Sequence, residues 1–261
     1  MLAIEDTGGD GRTDRPCVVL LHGLTATRRY VVMGSRLLER EGLRVVAYDA
    51  RGHGDSDPAE RYDYASLVDD LLAVMDDLGV ERAVLAGASM GAHTAARLAI
   101  ERPERVAGLV AITPAFLPGD RPRLDHWDAL SEGLRRGGVD GFLAAYGDPR
   151  VPEQWRETVL KVMRQRLERH RHPEAVADAL AQVPRSRPFE DEAELARIAA
   201  PTLVVADRDE ADPGHPLRVG ERWAQLIDGA RLVVEEPGRS PIAWQGGQLS
   251  RVIAGLVAEA R

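Results

Sequence analysis

Short runs of β-branched and aliphatic residues alternate along this chain with longer segments that have the spacing of amphipathic helices. The apolar runs lie at 17–21, 44–49, 83–87, 106–112, 201–206 and 231–234. Helix-period segments lie at 33–40, 67–78, 92–101, 155–168, 174–182, 219–227 and 248–260. A strand, a helix and a second strand in this order pair in parallel through a right-handed crossover. The chain is therefore predicted to form an α/β fold with a doubly wound, mostly parallel sheet.

The alternation is interrupted once, between residues 114 and 198, where only helix-period segments occur. This block separates the fourth predicted strand from the fifth. It is better interpreted as a helical cap inserted over the sheet than as an independent domain. The predicted organisation is thus a core formed by residues 1–113 and 199–261, with a cap formed by residues 114–198.

Composition narrows the class of protein. A chain of 261 residues buries enough surface to need no metal or disulfide for stability, and its single cysteine, Cys17, excludes an intrachain disulfide. A formal net charge of −8 disfavours nucleic acid as the main partner. No run approaches the roughly 18–20 apolar residues of a membrane span, and residues 1–6 lack the features of a secretory signal. These features predict a cytoplasmic enzyme or binding protein that acts on a small molecule, without a membrane partner.

The sequence GASMG at residues 87–91 has the form G-x-S-x-G, directly after an apolar run and at the start of a helix. This context is the one that a nucleophile elbow requires. A tight turn from strand to helix strains the backbone at Ser89, and glycines two residues on either side avoid collisions. Ser89 is therefore the predicted nucleophile. The alternative is that the glycines only allow close packing and that Ser89 caps the helix.

Four segments together resemble the α/β-hydrolase superfamily: HGL at 22–24, DARGHGDS at 49–56, GASMG at 87–91 and PTLVV at 201–205. The resemblance covers nearly the whole chain and implies the α/β-hydrolase fold with a cap. It implies an oxyanion hole formed by the backbone N–H groups of Leu24 and Met90, and a serine–acid–histidine relay. It assigns structural roles to His22 and His53, and it implies no cofactor and no metal.

The acid of the relay is expected after the predicted strand at 201–206. The segment DRDEADP at 207–213 offers four carboxylates. The register of the family allows Asp209 or Glu210, while Asp212 before Pro213 also resembles the usual acid–proline step. Asp209 is the preferred prediction, with Glu210 and Asp212 left open.

The position of the base is where the resemblance fails. The family has a histidine after its last strand, but this chain has Arg239 there, and no histidine follows His215. A guanidinium stays protonated at neutral pH and cannot accept the serine proton. His215, in the loop after the acid-bearing strand, is predicted to replace the missing base. Arg239 is then predicted to pair with Asp209 or with an acidic group of the substrate.

The predicted function is a serine hydrolase that cleaves a small carboxylic ester or a related acyl substrate. Ser89 would attack the carbonyl, His215 would accept its proton, and Asp209 would orient the imidazole. Two alternatives remain at this point. The fold could have lost acyl transfer and bind a small ligand under the cap, or it could perform proton-transfer or elimination chemistry in the same pocket.

Overall fold

A computed structural model describes residues 1–8 and 15–260 of the chain. Within these residues, seven strands form one sheet in the order β1-β3-β2-β4-β5-β6-β7. The strands are β1 (Ile4–Asp6), β2 (Cys17–Leu21), β3 (Arg44–Tyr48), β4 (Ala83–Ala88), β5 (Val106–Ile112), β6 (Thr202–Ala206) and β7 (Arg231–Val234). All neighbouring strands pair in parallel except β1, which is antiparallel to β3. The predicted α/β fold with a mostly parallel sheet is confirmed.

Eight α-helices follow the strands or form the segment between β5 and β6. They are α1 (Leu37–Arg40), α2 (Tyr64–Asp77), α3 (Met90–Glu101), α4 (Leu124–Tyr146), α5 (Glu153–Leu167), α6 (Pro173–Gln182), α7 (Leu217–Leu226) and α8 (Gly246–Glu259), all within the described residues. Among these residues, no helix is both long and apolar enough to cross a membrane.

Helices cover both faces of the sheet, as its continuous apolar strands require. In β2, Val19 belongs to the core on one face and Val18 to the core on the other. Leu98 of α3 and Trp223 of α7 pack into the first core, and Ile253 of α8 packs into the second. The central strands are therefore buried on both sides, and their carboxyl ends are left as the edge where side chains can meet a ligand.

The first predicted helix is shorter than expected. The sequence predicted a helix at 33–40, but α1 begins only at Leu37. Met33 has a φ of 48° and Gly34 a φ of 74°, a left-handed conformation that interrupts a right-handed helix. The edge strand β1, which has only three residues, was not predicted.

The segment between β5 and β6 contains α4, α5 and α6 and has no strand. Its apolar side chains form a separate cluster around Phe142, Met163 and Leu180. Helix α4 bends at Gly138, whose φ is 57°. This helical segment lies where the sequence predicted an insertion, and its role as a cap remains a prediction.

Candidate active site

Ser89 occupies a strained bend between the central strand β4 and helix α3, with φ 50° and ψ −111°. Two glycines make this bend possible. A Cβ at Gly87 would collide with the backbone of Gly91, and a Cβ at Gly91 would collide with the backbone of Leu21 and come within 2.8 Å of its Cβ. The glycine pattern in the sequence therefore reports a real steric requirement, and Ser89 stands at the helix N-terminus, where an anion is favoured.

The loop after β2 lies directly against this serine. A Cβ added to Gly23 would be 3.4 Å from the Cβ of Ser89. The loop forms a turn in which the N–H of Ala26 donates to the carbonyl oxygen of Gly23 at 3.0 Å. Among the described residues, no group accepts a hydrogen bond from the backbone N–H of Leu24 or of Met90. Two free amides beside a serine are the arrangement that an oxyanion hole needs.

Two buried histidines hold this loop in place. His22 accepts the N–H of Ala50 at Nε2 (2.9 Å), so its Nδ1 carries the proton and donates to the carbonyl oxygen of Gly23 at 2.8 Å. His170, between α5 and α6, accepts the N–H of Gly54 at Nδ1 (2.8 Å) and donates from Nε2 to the carbonyl oxygen of Thr25 at 3.1 Å.

The backbone at Thr25 needs this support, because its φ of 69° is left-handed and it is not a glycine. Burial lowers the pKa of both histidines, that of His170 to about 4. The two rings are thus neutral at physiological pH and act as hydrogen-bonding supports.

Two further histidines are also engaged within the core. His93 accepts the N–H of Ala115 at Nε2 (3.0 Å) and bonds the hydroxyl of Tyr64 through Nδ1 (2.8 Å). Burial, followed by the charge of His215, lowers the pKa of His93 to about 3. His53 donates from Nδ1 to the carbonyl oxygen of Arg51 at 2.9 Å, and burial lowers its pKa as well. Neither ring has the contacts of a general base.

His215 and Asp212 form a pair in the loop after β6. The Nδ1 atom of His215 lies 2.8 Å from Oδ2 of Asp212. A turn brings the two residues together, because the N–H of His215 donates to the carbonyl oxygen of Asp212 at 3.1 Å. Pro213 and Gly214 occupy the middle of this turn, which are the residues such turns favour. The Nε2 atom of His215 has no partner among the described residues and is the free end of the pair.

The carboxylate of Asp212 sets the protonation of this histidine. Burial opposes the charged imidazolium, but the charge and hydrogen bond of Asp212 outweigh it and raise the pKa of His215 above its usual value. The pKa of Asp212 is lowered in turn: burial opposes its ionisation, and the nearby His215 reverses that effect. The pair thus consists of an ionised carboxylate and a histidine whose protonated form it stabilises, as a base and its orienting acid require.

The structure does not bring Asp209 or Arg239 to this pair. The carboxylate of Asp209 accepts the N–H of Leu217 at 2.7 Å and so bonds the start of α7. The side chain of Arg239 is 77% exposed, and its nearest carboxylate is that of Glu236, at 3.9 Å. The predicted contact between Arg239 and Asp209 is absent from the described residues. Of the three acids left open by the sequence, the geometry joins Asp212 to His215.

Two further buried carboxyl groups, those of Asp207 and Glu235, directly follow the ends of β6 and β7. Asp207 is fully buried, and neither of its carboxylate oxygens has a hydrogen-bond partner among the described residues. Burial, with the charges of Asp212 and Glu235, raises the pKa of Asp207 to about 8. Asp207 is therefore a neutral carboxylic acid at physiological pH, which avoids placing a third negative charge beside Asp212.

Sequence reasoning missed one charged residue near the site, Arg166 of α5. Its charge acts on both Asp212 and His215. One signal was present in the sequence: Arg166 follows Met163 by three residues, which places the two on the same face of α5. This spacing alone does not show that the end of α5 lies over the loop at Thr25.

Comparison with known proteins identifies the fold family. The family model described as "alpha/beta hydrolase fold" matches residues 16–172. The chain belongs to the α/β-hydrolase family. Its relatives and structural neighbours are hydrolases and esterases, and the predicted class of enzyme, a hydrolase, is confirmed.

Two relatives and one solved structure illustrate the similarity. The 2-hydroxy-6-oxononadienedioate/2-hydroxy-6-oxononatrienedioate hydrolase 2 of Pseudomonas putida is 32% identical, over 85% of this chain and 77% of that protein. The 3-oxoadipate enol-lactonase 1 of Acinetobacter baylyi is 29% identical, over 82% of this chain and 78% of that protein. The malate-bound esterase from Thermogutta terrifontis superimposes with a TM-score of 0.81 at 28% identity, covering 99% of this chain and 93% of the other.

Proposed function

We propose that this protein is a serine hydrolase that cleaves a small carboxylic ester or a related acyl substrate. In this proposal Ser89 is the nucleophile, His215 the general base and Asp212 the orienting acid. The backbone N–H groups of Leu24 and Met90 form the oxyanion hole. The observation that carries the proposal is the contact of His215 Nδ1 with Asp212, which leaves Nε2 free to take a proton.

The reaction proceeds in two halves. Nε2 of His215 accepts the hydroxyl proton as the oxygen of Ser89 bonds to the substrate carbonyl carbon, and the carbonyl electron pair moves to its oxygen. The amides of Leu24 and Met90 donate hydrogen bonds to that oxyanion. The intermediate then expels the alcohol, which takes the proton from His215, and leaves an acyl-serine. The oxygen of a water molecule then bonds to the acyl carbon while Nε2 of His215 accepts the proton of that water. The bond from the acyl carbon to the Ser89 oxygen breaks, that oxygen takes the proton from His215, and the acid is released.

Asp212 stabilises the imidazolium that forms in each half-reaction and keeps the proton on Nδ1. Because the pKa of His215 is raised, the neutral base becomes available only above the ordinary histidine value of about 6.5. The proposed activity therefore increases as the pH rises through neutrality.

The known proteins support ester chemistry. One relative is named an enol-lactonase, and one structural neighbour is named an esterase. A lactone is a cyclic ester, so both names describe cleavage of an ester bond, the reaction that this proposal assigns to Ser89.

A fluorophosphonate probe tests the proposal, because it labels serines that are activated by a base. We expect labelling of the parent protein and of His172→Ala, none of Ser89→Ala, and labelling at least roughly 100-fold slower for His215→Ala. His172 is a matched control, since its side chain is 28% exposed against 27% for His215 and it too lies beside a carboxylate.

Rates of labelling by mass spectrometry, measured from pH 6 to pH 10, decide the question. No labelling of the parent at any of these pH values would contradict the hydrolase and favour a ligand-binding protein. Equal rates for His215→Ala and the parent would show that another group activates Ser89.

A further inference from the structure

Arg166 lies near the C-terminal end of α5 on the face that packs toward the core of the protein. Met163, one helical turn before Arg166 on this face, is 6% exposed. His170, four residues after Arg166, is the ring that donates to the carbonyl oxygen of Thr25, next to Leu24. The side chain of Leu24 in turn packs against the cluster that contains Met163 and Leu167. This face of α5 therefore covers the loop that carries one of the proposed oxyanion donors.

The guanidinium of Arg166 has no hydrogen bond and no ion pair within the described residues, and its Nε is enclosed without a partner. Other arginines of the same helical segment are paired. Arg164 lies 2.6 Å from Asp140, and Arg185 lies 2.8 Å from Asp128. A half-buried guanidinium without an ion pair costs folding free energy, and a ligand that supplies an anion would recover it.

Two observations connect Arg166 with the proposed active site: the end of its helix contacts the loop that carries Leu24, and its charge acts on Asp212 and His215. Its charge lowers the pKa of Asp212 and opposes protonation of His215. Tyr30 and Tyr146 are also within its electrostatic reach. Asp212 does not neutralise Arg166 directly, because its Oδ2 is already bonded to His215 and no ion pair joins the two side chains within the described residues.

We infer that Arg166 binds a carboxylate of the substrate, so that the preferred substrates are acyl compounds that carry a second, free carboxylate. The inference rests on the proposed function, since it names the substrate class of the same site. A guanidinium presents two parallel N–H groups that match the two oxygens of a carboxylate. One arginine beside the acidic Asp212 suits a single negative charge better than a doubly charged phosphate.

Two esters with the same six-carbon acyl chain test this inference. They are 4-nitrophenyl hexanoate, which is neutral, and the mono-4-nitrophenyl ester of adipic acid, which carries one carboxylate. We expect the parent to prefer the adipate ester. In Arg166→Met the ratio of kcat/KM between the charged and the neutral ester should fall roughly 10- to 100-fold, mainly through KM, as for the loss of a charged hydrogen bond.

The control variant is Arg164→Met, which removes a partly exposed arginine two residues away and should leave the ratio of the two esters unchanged. Thermal unfolding separates binding from structure. Because Arg166 has no partner to lose, Arg166→Met should melt at or above the temperature of the parent. Arg166→Lys keeps the positive charge but not the two parallel N–H groups. Its ratio of kcat/KM between the charged and the neutral ester should lie between those of the parent and of Arg166→Met.

Calorimetric titration with disodium succinate, adipate and suberate gives a readout that does not need turnover. Binding of at least one of these dicarboxylates by the parent and by Ser89→Ala, weakened at least 10-fold in Arg166→Met, supports the inference even if neither ester is hydrolysed. Binding that Arg166→Met leaves unchanged, or no binding by the parent, overturns it. If both esters are hydrolysed and Arg166→Met keeps the parent ratio, the inference fails while the proposed hydrolase stands.

Discussion

The serine bend after β4 and the acid–histidine turn after β6 lie at the same edge of the sheet, but different forces fix them. At the bend, Gly87 and Gly91 meet backbone atoms so closely that no side chain fits, and the strained φ of Ser89 follows from packing. At the turn, the backbone brings Asp212 and His215 together, and the charges of these residues and the buried Asp207 set which of them carries a proton. Packing defines where the nucleophile stands, whereas electrostatics defines which neighbour can activate it.

The largest effect on the rate of ester hydrolysis is expected when single acids in the loop after β6 are replaced by asparagine. Asp212→Asn removes the carboxylate on Nδ1 of His215, and the rate of ester hydrolysis should fall roughly 10³-fold. Asp209→Asn, the matched change three residues earlier, affects only the contact with the N–H of Leu217 and should stay within about threefold of the parent, since a helix cap is worth only about 1 kcal/mol.

The pH–rate profile supplies a second measurement on the same variants. Because Asp212 raises the pKa of His215, its removal should move the rising limb to lower pH while the plateau falls. A rate reduced more by Asp209→Asn than by Asp212→Asn would show that the original sequence prediction of the acid was right and the present assignment wrong.

Adding one methyl group at the bend tests whether close packing constrains the backbone around Ser89. Gly91→Ala places a Cβ against the backbone of Leu21 and should lower the free energy of unfolding by about 3 kcal/mol. Gly255→Ala in α8 meets nothing within 4 Å and should raise it by about 0.5–1 kcal/mol. Urea unfolding of the two variants measures both signs, and equal effects would mean that the bend is not sterically constrained.

The buried acid at the turn predicts a smaller effect that depends on pH. Between about pH 4 and 8 the folded protein keeps a proton on Asp207 that the unfolded chain releases, so this residue makes stability fall as the pH rises. Asp207→Asn cannot titrate. It should remove that slope and raise the free energy of unfolding by about 2 kcal/mol at pH 8.

Asp6 provides a comparison of opposite sign for this measurement. The hydrogen bond from Arg44 lowers the pKa of Asp6, so its carboxylate stabilises the fold above the pKa of the unfolded state. Asp6→Asn should therefore reduce stability at neutral pH. Chemical unfolding across pH 4–9 distinguishes the two, and an Asp207→Asn variant less stable than the parent at pH 8 would contradict the buried neutral acid.

The sequence was sufficient for the six parallel strands β2–β7 and for the serine bend, because their signals are local. A continuous apolar run indicates a strand buried on both faces. Glycines two residues before and after Ser89 indicate a turn in which a larger residue would collide with the backbone. The helix predicted at 33–40 failed because Met33 adopts a left-handed conformation that helix propensity does not anticipate.

The acid could not be chosen from the sequence, because four carboxylates share one loop and the answer depends on how that loop turns. The order Asp212-Pro213-Gly214-His215 contained the information, since such a turn brings its first and fourth residues together. The role of Arg166 could not be predicted from the sequence for a different reason. Its importance depends on which face of α5 is buried and on the absence of an ion pair to Arg166 among the described residues, and only the assembled fold shows these features.

The bonds from His170 to Gly54 and Thr25 bear on how this protein could be re-engineered. They join the helical insertion to the very loop that is proposed to hold the oxyanion. A chimaera that kept residues 1–113 and 199–261 but took its insertion from another protein would inherit the serine and lose the support of Thr25. If the insertion is exchanged to change specificity, the new insertion must therefore carry a histidine at the position of His170.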